Sequence, residues 1–375
     1  MTTLPLIRLS KSNISETEIA AVSSTLREEY LGMGKKVGEF EKQLSEYFGR
    51  TAICVNTGTS ALQLACQGAG LGTGDEVLIQ SLTFVASFQA IHATGAKPVA
   101  CEFDPNTGCI DLADAEKRVT PRTKAIMPVH YAGNAAGLKA ILDFAKKHKL
   151  RVIEDAAHAF GTKVDGKLVG SFGDITCFSF DGIKNITSGE GGCVVTDDPA
   201  VIAIVKDARL LGIIGDSDNR YKRERTWSFD VQYPGWRYHM SDVMAAIGVE
   251  QFKRKDEFRK KRQHLVQGYR ARLNNYGKVK LFQDNGCDIN PHIFPIRILP
   301  PGNRDQVQLK MKEDQIQTGI HYVPNHLLTF FKSDYSLPVT ESTFKEMITL
   351  PLHFDLSDSD LDRIVASLKK ALDGK

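Results

Sequence analysis

The sequence predicts an α/β protein: a mostly parallel sheet flanked by helices, followed by a smaller C-terminal α/β domain. Three observations carry this reading. Between residues 50 and 215, short β-branched runs alternate with stretches whose apolar residues recur at helical spacing. Beyond residue 240 this alternation gives way to one long helical pattern that leads away from the sheet. At 375 residues, the chain also exceeds the size at which a single core stops growing.

Taken in order, the strands are expected at 51–56, 76–80, 98–102, 124–129, 151–155, 175–180 and 192–196, seven in all. Between them, helical spacing marks 60–68, 84–94, 137–148 and 199–211. Strands alternating with helices pair in parallel, and their crossovers are right-handed. Residues 213–230 (IIGDSDNRYKRERTWSFD) lack periodicity and read as a surface loop that orders on binding or assembly. From residue 241 a helical pattern runs to about 273, and it is followed by one clear strand at 292–299 and helices near 303–316 and 358–373. These elements place a large domain at 1–250 and a small one at 251–375, with the first 30 or so residues packing elsewhere. The chain shows no internal repeat and no low-complexity tract.

Composition narrows the class of ligand. A net charge of +3, with the basic residues dispersed, argues against nucleic acid and membrane surfaces and for a small-molecule partner. Seven cysteines without a C-x-x-C pair fit free thiols in a reducing compartment, not a disulfide framework or a zinc site. The start, MTTLPLIRLSKSN, lacks a signal-peptide layout, and no apolar run approaches 18 residues, so a soluble cytoplasmic protein is expected.

The most informative segment runs from Cys177 to Val195, where a strand delivers Lys184 into a turn rich in Gly, Ser and Asn. A loop lysine alone is an ordinary surface charge. Held unprotonated beside an electrophile, it traps carbonyls and shuttles protons. Some thirty residues earlier, a strand ends in Glu154-Asp155-Ala156-Ala157-His158, placing Asp155 where open α/β sheets bind ligands. A carboxylate there keeps a pyridine nitrogen protonated, and His158 can reach a ring hydroxyl; otherwise Asp155 is a helix cap and His158 a structural histidine. The run Asn56-Thr57-Gly58-Thr59-Ser60 supplies N–H groups and hydroxyls for a phosphate at a helix start, or simply a capped turn. Ser179 alternates with Phe178 and Phe180, faces away from those rings and offers a further donor. Phe84 opens a helix after the next strand end, placed to stack on a pyridine ring or to join the core.

Together these motifs resemble the DegT family of nucleotide-sugar aminotransferases, which are pyridoxal-phosphate enzymes of fold type I. The resemblance runs nearly end to end: G-K-K-V-x-E-F-E at 34–41, N-T-G-T-S-A-L at 56–62, G-D-E-V at 74–77 and P-V-H-Y-A-G at 128–133. It continues through E-D-A-A-H, F-S-F-x-x-x-K-N, G-E-G-G at 189–192, M-S-D-x-x-A-A-I-G at 240–248 and L-P-L-H at 350–353. It implies Lys184 as the Schiff-base lysine, Asp155 on the pyridine nitrogen, His158 (where many relatives carry Gln) near the ring hydroxyl, and Phe84 on the ring face. Gly58, Thr59, Ser60 and Ser179 then surround the phosphate. Relatives also donate an asparagine across a dimer interface to the phosphate. Here 235–240 reads Gly-Trp-Arg-Tyr-His-Met, so Arg237 or His239 must substitute, and the later position, His239, is favoured. Lys35, Asn185, His321 and Tyr322 match positions near the sugar.

The implied reaction moves an amino group from L-glutamate, through the pyridoxamine form of the cofactor, to a keto group of a nucleotide-diphosphate sugar. Surface polysaccharide, lipopolysaccharide or O-antigen synthesis is the implied setting, and a homodimer with shared sites the implied assembly. The strings P-V-H-Y-A-G and I-K-N-I-T look closest to members that aminate C4, with C3 amination the alternative. A deoxysugar dehydratase on the same fold has histidine in place of Lys184, and a sensory protein without turnover would not need an intact Lys184, Asp155 and phosphate loop. The basic run 221–225 reads as a solvated loop in preference to a grip on the substrate's diphosphate.

Overall fold

A computed structural model describes residues 5–224 and 227–374. The large sheet uses β1 (Thr51–Val55), β2 (Glu76–Gln80), β3 (Lys97–Cys101), β4 (Thr123–Met127) and β5 (Arg151–Asp155). A two-strand hairpin, β6 (Lys163–Val164) and β7 (Lys167–Leu168), precedes β8 (Ile175–Ser179) and β9 (Gly192–Thr196). The seven-stranded order is β1-β9-β8-β5-β4-β2-β3. From β8 to β3 every neighbour pairs in parallel, while β9 runs antiparallel to both β1 and β8. β2, β8 and β9 are buried throughout, so their sequences EVLIQ, ITCFS and GCVVT do not show the strict apolar–polar alternation of a half-buried strand.

This topology gathers the chemistry on one edge. β1, β5 and β8 run in one direction, so Val55, Asp155 and Ser179 end at the same side of the sheet. The helix Gly58–Gly68 starts from that edge, where the Thr57 hydroxyl accepts from the Ser60 N–H at 3.0 Å and the Ser60 hydroxyl accepts from the Thr57 N–H at 3.1 Å.

The antiparallel sheet β10 (Val279–Leu281), β11 (Phe294–Ile298) and β12 (Met347–Leu350) forms a separate core with the helices Lys255–Leu273, Arg304–Glu313 and Asp358–Asp373. Ile7 joins this core and bridges to Ile316, and Leu9 accepts from the Leu352 N–H at 3.0 Å. Next, the helix Glu16–Arg27 packs on Asp242–Lys253, with buried Glu18 accepting from Gln251 at 2.7 Å.

Three expectations need correction. The stretch 213–230 contains a helix, Asp216–Tyr221, organised not by an apolar stripe but by fully buried Arg209. Arg209 donates to Ser217, to the Tyr221 hydroxyl at 2.6 Å and to Glu41 at 2.5 Å, contacts that no local pattern announces. The long pattern after residue 241 is two helices, broken at Arg254 where the backbone turns to φ −95, ψ 1. The small sheet has three strands, because β10 and β12 are too short to show a period of two.

Candidate active site

The edge at the ends of β5 and β8 opens onto a cavity of about 480 Å³. Lining it are Thr57, Gly58 and Thr59 at the helix start, Phe84, Asp155, His158, Ser179, Lys184, His321 and Tyr322. The structure therefore brings together most of the residues picked from the sequence, drawn from positions 58 to 322.

Lys184 sits in a tight connection between β8 and β9. Its N–H donates to Asp181 O at 3.0 Å, and Ser188 N–H donates to Phe180 O at 2.9 Å, which closes the turn. Phe178 and Phe180 anchor it in the core below, the first stacked on Phe48 and the second tilted against Phe40. The amine points inward and lies 3.3 Å from His292 Nε2. Burial lowers its pKa, with a further push from Arg262, against the opposing pull of Asp181 and Asp155.

Asp155 is held on both oxygens: Ser87 Oγ donates to Oδ2 at 2.6 Å, and Ala157 N–H to Oδ1 at 3.1 Å. The helix cap expected at Asp155 is not formed: residues 156–162 form turns, the second bond closes one of them, and the carboxylate lines the cavity. His158 is oriented by the segment 130–133. Ala132, at φ +56, directs its N–H to His158 Nδ1 at 3.4 Å. With Nδ1 accepting, the neutral ring carries its hydrogen on Nε2 and donates to the Tyr322 hydroxyl at 3.1 Å. The glycine that follows is required there: a Cβ on Gly133, at φ +93, would sit 2.8 Å from Asn290 O and 3.0 Å from His158 O. Burial and Lys184 keep His158 neutral, and the same causes push His321 down to about 4.

At the phosphate side, Gly58 abuts Ser179 so closely that a Cβ would lie 2.8 Å from Ser179 Cβ. Helix N–H groups and the serine hydroxyl thus face one small space, suited to an anion. The Ser60 hydroxyl is used otherwise, donating to Asn56 Oδ1 at 2.8 Å inside the cap, so Thr57 takes its place in the lining. Phe84 is 55% exposed, with its ring centroid 5.4 Å from that of Tyr322.

Other expected residues lie apart from this cavity. Lys35 is exposed at the start of the helix Lys35–Phe48. Asn185 turns away, donating to Asn290 O at 3.2 Å. Arg237 and His239 run beside β1 and the end of Pro199–Ala208, with backbone bridges to Leu210 and Val55, and neither lines the chain's own cavity. His239 Nδ1 is buried without a partner among the described residues, and burial beside Arg237 brings its pKa to about 4. Of the run 221–225, Tyr221 is built into the Arg209 cluster, while Arg225 lies outside the described residues. His326, near His321, is a tie: Ser81 Oγ lies 2.6 Å from its Nδ1 and Glu341 3.2 Å from its Nε2, all within the fold. Ser87, His292 and Arg262 were not singled out in the sequence. Their positions carry no local signal, because they meet the site only through tertiary packing.

The donor set fits pyridoxal phosphate on this geometry: a buried amine, a braced carboxylate, a glycine-bound helix start with Ser179, and a cavity between them. Comparison with known proteins agrees. The chain is 34% identical over 372 residues to the spore coat polysaccharide biosynthesis protein SpsC of Bacillus subtilis, covering 96% of each. It is also 34% identical over 391 residues to a UDP-4-amino-4-deoxy-L-arabinose–oxoglutarate aminotransferase of Shewanella sediminis, covering 99% of each. A sugar aminotransferase, Spr1654 of Streptococcus pneumoniae, solved in PLP and PMP forms, superposes with a TM-score of 0.91 in each, at 27% and 28% identity over 99% of both chains. Residues 12–369 match the model of a family whose members use pyridoxal phosphate. The fold, the cofactor-shaped cavity and this match over nearly the whole length make the chain a member of the DegT/DnrJ/EryC1/StrS aminotransferase family.

Proposed function

We propose that this aminotransferase transfers the amino group of L-glutamate to a 4-keto group on a nucleotide-linked sugar, for a surface polysaccharide or glycoconjugate. The observation that carries the reading is the convergence of Lys184, Asp155 and the Gly58 helix start on one cavity. Preference for C4 draws on the Shewanella relative, whose name specifies a 4-amino-4-deoxy sugar.

Pyridoxal phosphate, when bound, supplies an electron sink for the bond-breaking at the amino-bearing carbon. Asp155 keeps a cationic ring nitrogen favoured, and Ser87 and Ala157 prevent the carboxylate from turning away. Thr59, Ser179 and the N–H groups at Gly58 would hold the phosphate, and Phe84 would pack on the ring. Lys184 Nζ would hold the cofactor's carbonyl carbon, and as a free amine it would move the proton at the reacting carbon. His158, donating to Tyr322, leaves the phenol proton free to point at the ring-hydroxyl side. His321 and Tyr322 would border the sugar.

The reading includes a homodimer in which His239, or failing that Arg237, reaches the phosphate of the other copy. It also includes a cytoplasmic location and a division of the chain near residue 250. Incubating the purified protein with L-glutamate and a UDP-4-keto sugar tests the reaction. A 4-amino product with one equivalent of 2-oxoglutarate supports it, and a 3-amino product or no amination refutes the C4 assignment.

A further inference from the structure

Lys184 does not reach toward Asp155 or Tyr322 for its hydrogen bond but lies against His292, 3.3 Å from Nε2. His292 is 3% exposed and enters from the loop before β11, in the small-sheet half of the chain. Its ring packs on that of His158 at 4.4 Å between centroids, tilted by 46°, and its backbone carbonyl accepts from Arg262 at 3.1 Å. Position and rotation of the imidazole are thus both restricted.

The other ring nitrogen decides what this contact is. His292 Nδ1 is buried and has no partner among the described residues. Burial, with the Arg262 cation beside it, keeps the ring neutral even when the Lys184 amine carries no charge, so one nitrogen carries a hydrogen and the other a lone pair. If Nε2 accepted from Lys184, a buried N–H would be stranded at Nδ1, the rarer and costlier kind of orphan. With the hydrogen on Nε2, only a lone pair is left unmet, and Nε2 then needs an acceptor. The amine of Lys184 serves as one only when it is unprotonated.

We propose that His292 is a positioning residue that donates from Nε2 to the unprotonated amine of Lys184 and holds it ready to attack the cofactor's carbonyl. The proposal rests on Lys184 being the lysine that bonds the cofactor. Arg262 works in the same direction. Its bonds go to the carbonyls of His292 and Leu352, and burial brings its own pKa to about 10, so it remains a cation facing the amine. Around Lys184, burial and Arg262 oppose the ammonium while Asp181 and Asp155 favour it, and His158, His292 and His321 stand beside it with lowered pKa values.

The test uses the cofactor-free protein, reductively methylated with ¹³C-formaldehyde across a pH series, with the Lys184 signal followed by NMR. In wild type the amine titrates below the ordinary lysine value. His292→Leu keeps an apolar neighbour but removes the donor, and it raises that midpoint by about one unit, equivalent to roughly tenfold less free amine below both midpoints. An unchanged or lowered midpoint overturns the proposal, since a histidine that accepted from the ammonium would give the lowered one. Should the variant not fold, ¹⁵N-histidine spectra of the unaltered protein decide: a neutral His292 with its hydrogen on Nε2 is expected, and hydrogen on Nδ1 overturns the idea. Borohydride reduction of the holoenzyme with peptide mapping checks the underlying reading separately. Cofactor trapped on another lysine removes the role of Lys184, while the titration still reports on the pair.

Discussion

At Lys184 two demands meet, because the amine must be uncharged to react and yet sits beside carboxylates that favour its charge. Burial settles the contest, and it comes from tertiary packing around a turn that the sequence shows only as Gly, Ser and Asn. Lys184→Ala should leave the fold intact, with a thermal midpoint within a few degrees, and reduce turnover by about three orders of magnitude or more, read as 2-oxoglutarate released. Residual transamination near the wild-type rate would exclude Lys184. At Asp155 the sequence supported two readings, helix cap and pyridine partner; no helix follows β5, so the bond to Ala157 only closes a turn, and the carboxylate lining the cavity favours the second. Asp155→Asn preserves shape and so should retain cofactor, visible in the absorbance spectrum, while slowing the first half-reaction by about a hundredfold. Ser87, which braces that carboxylate, was not legible: a serine three residues past Phe84 looks like any helix residue until the sheet places it.

Among elements, those with strong local signals were legible. The buried strands of the large sheet and the helices between them follow from β-branched runs and helical spacing, each punctuated by glycine or a cap. What escaped was built by distant partners: Asp216–Tyr221 by Arg209, and the break at Arg254 inside an otherwise continuous helical pattern. The phosphate turn was legible as a motif, but its tightness was not, because Ser179 arrives from 121 positions later in the chain, the difference between residues 179 and 58. Gly58→Ala tests that closeness. The added methyl would lie 2.8 Å from Ser179 Cβ, so helix start and strand end must part. A loss of about 1–3 kcal/mol in denaturant unfolding is expected, with a roughly tenfold weaker cofactor affinity in fluorescence titration. Wild-type affinity in this variant would show that the helix start does not hold the anion.

On the scale of the whole molecule, the site lies where the two sheets' territories meet, and its histidines come from both. His158 follows β5; His292 precedes β11; His321 bonds through Nδ1 to Thr349 of β12 at 2.9 Å. All three have lowered pKa values, chiefly from burial, with His321 at about 4. An unfolded histidine titrates near 6.5, so between about 6.5 and about 4 the unfolded chain binds more protons than the folded one. Stability therefore rises with pH across that window, is fully present above it, and is lost as pH falls through it. For His321 alone the loss is on the order of 1–3 kcal/mol after allowance for its partial exposure. Below about pH 5 the cofactor-free protein should open first between the two sheets, because opening lets His158, His292 and His321 take up protons that burial denies them in the folded site. Urea midpoints measured from pH 8 to pH 4 check this, with a fluorescence or exchange probe on each sheet. His321→Gln, which keeps a hydrogen bond to Thr349 without a titrating ring, should flatten the decline. A pH profile identical to wild type would show that acid sensitivity arises elsewhere in the chain.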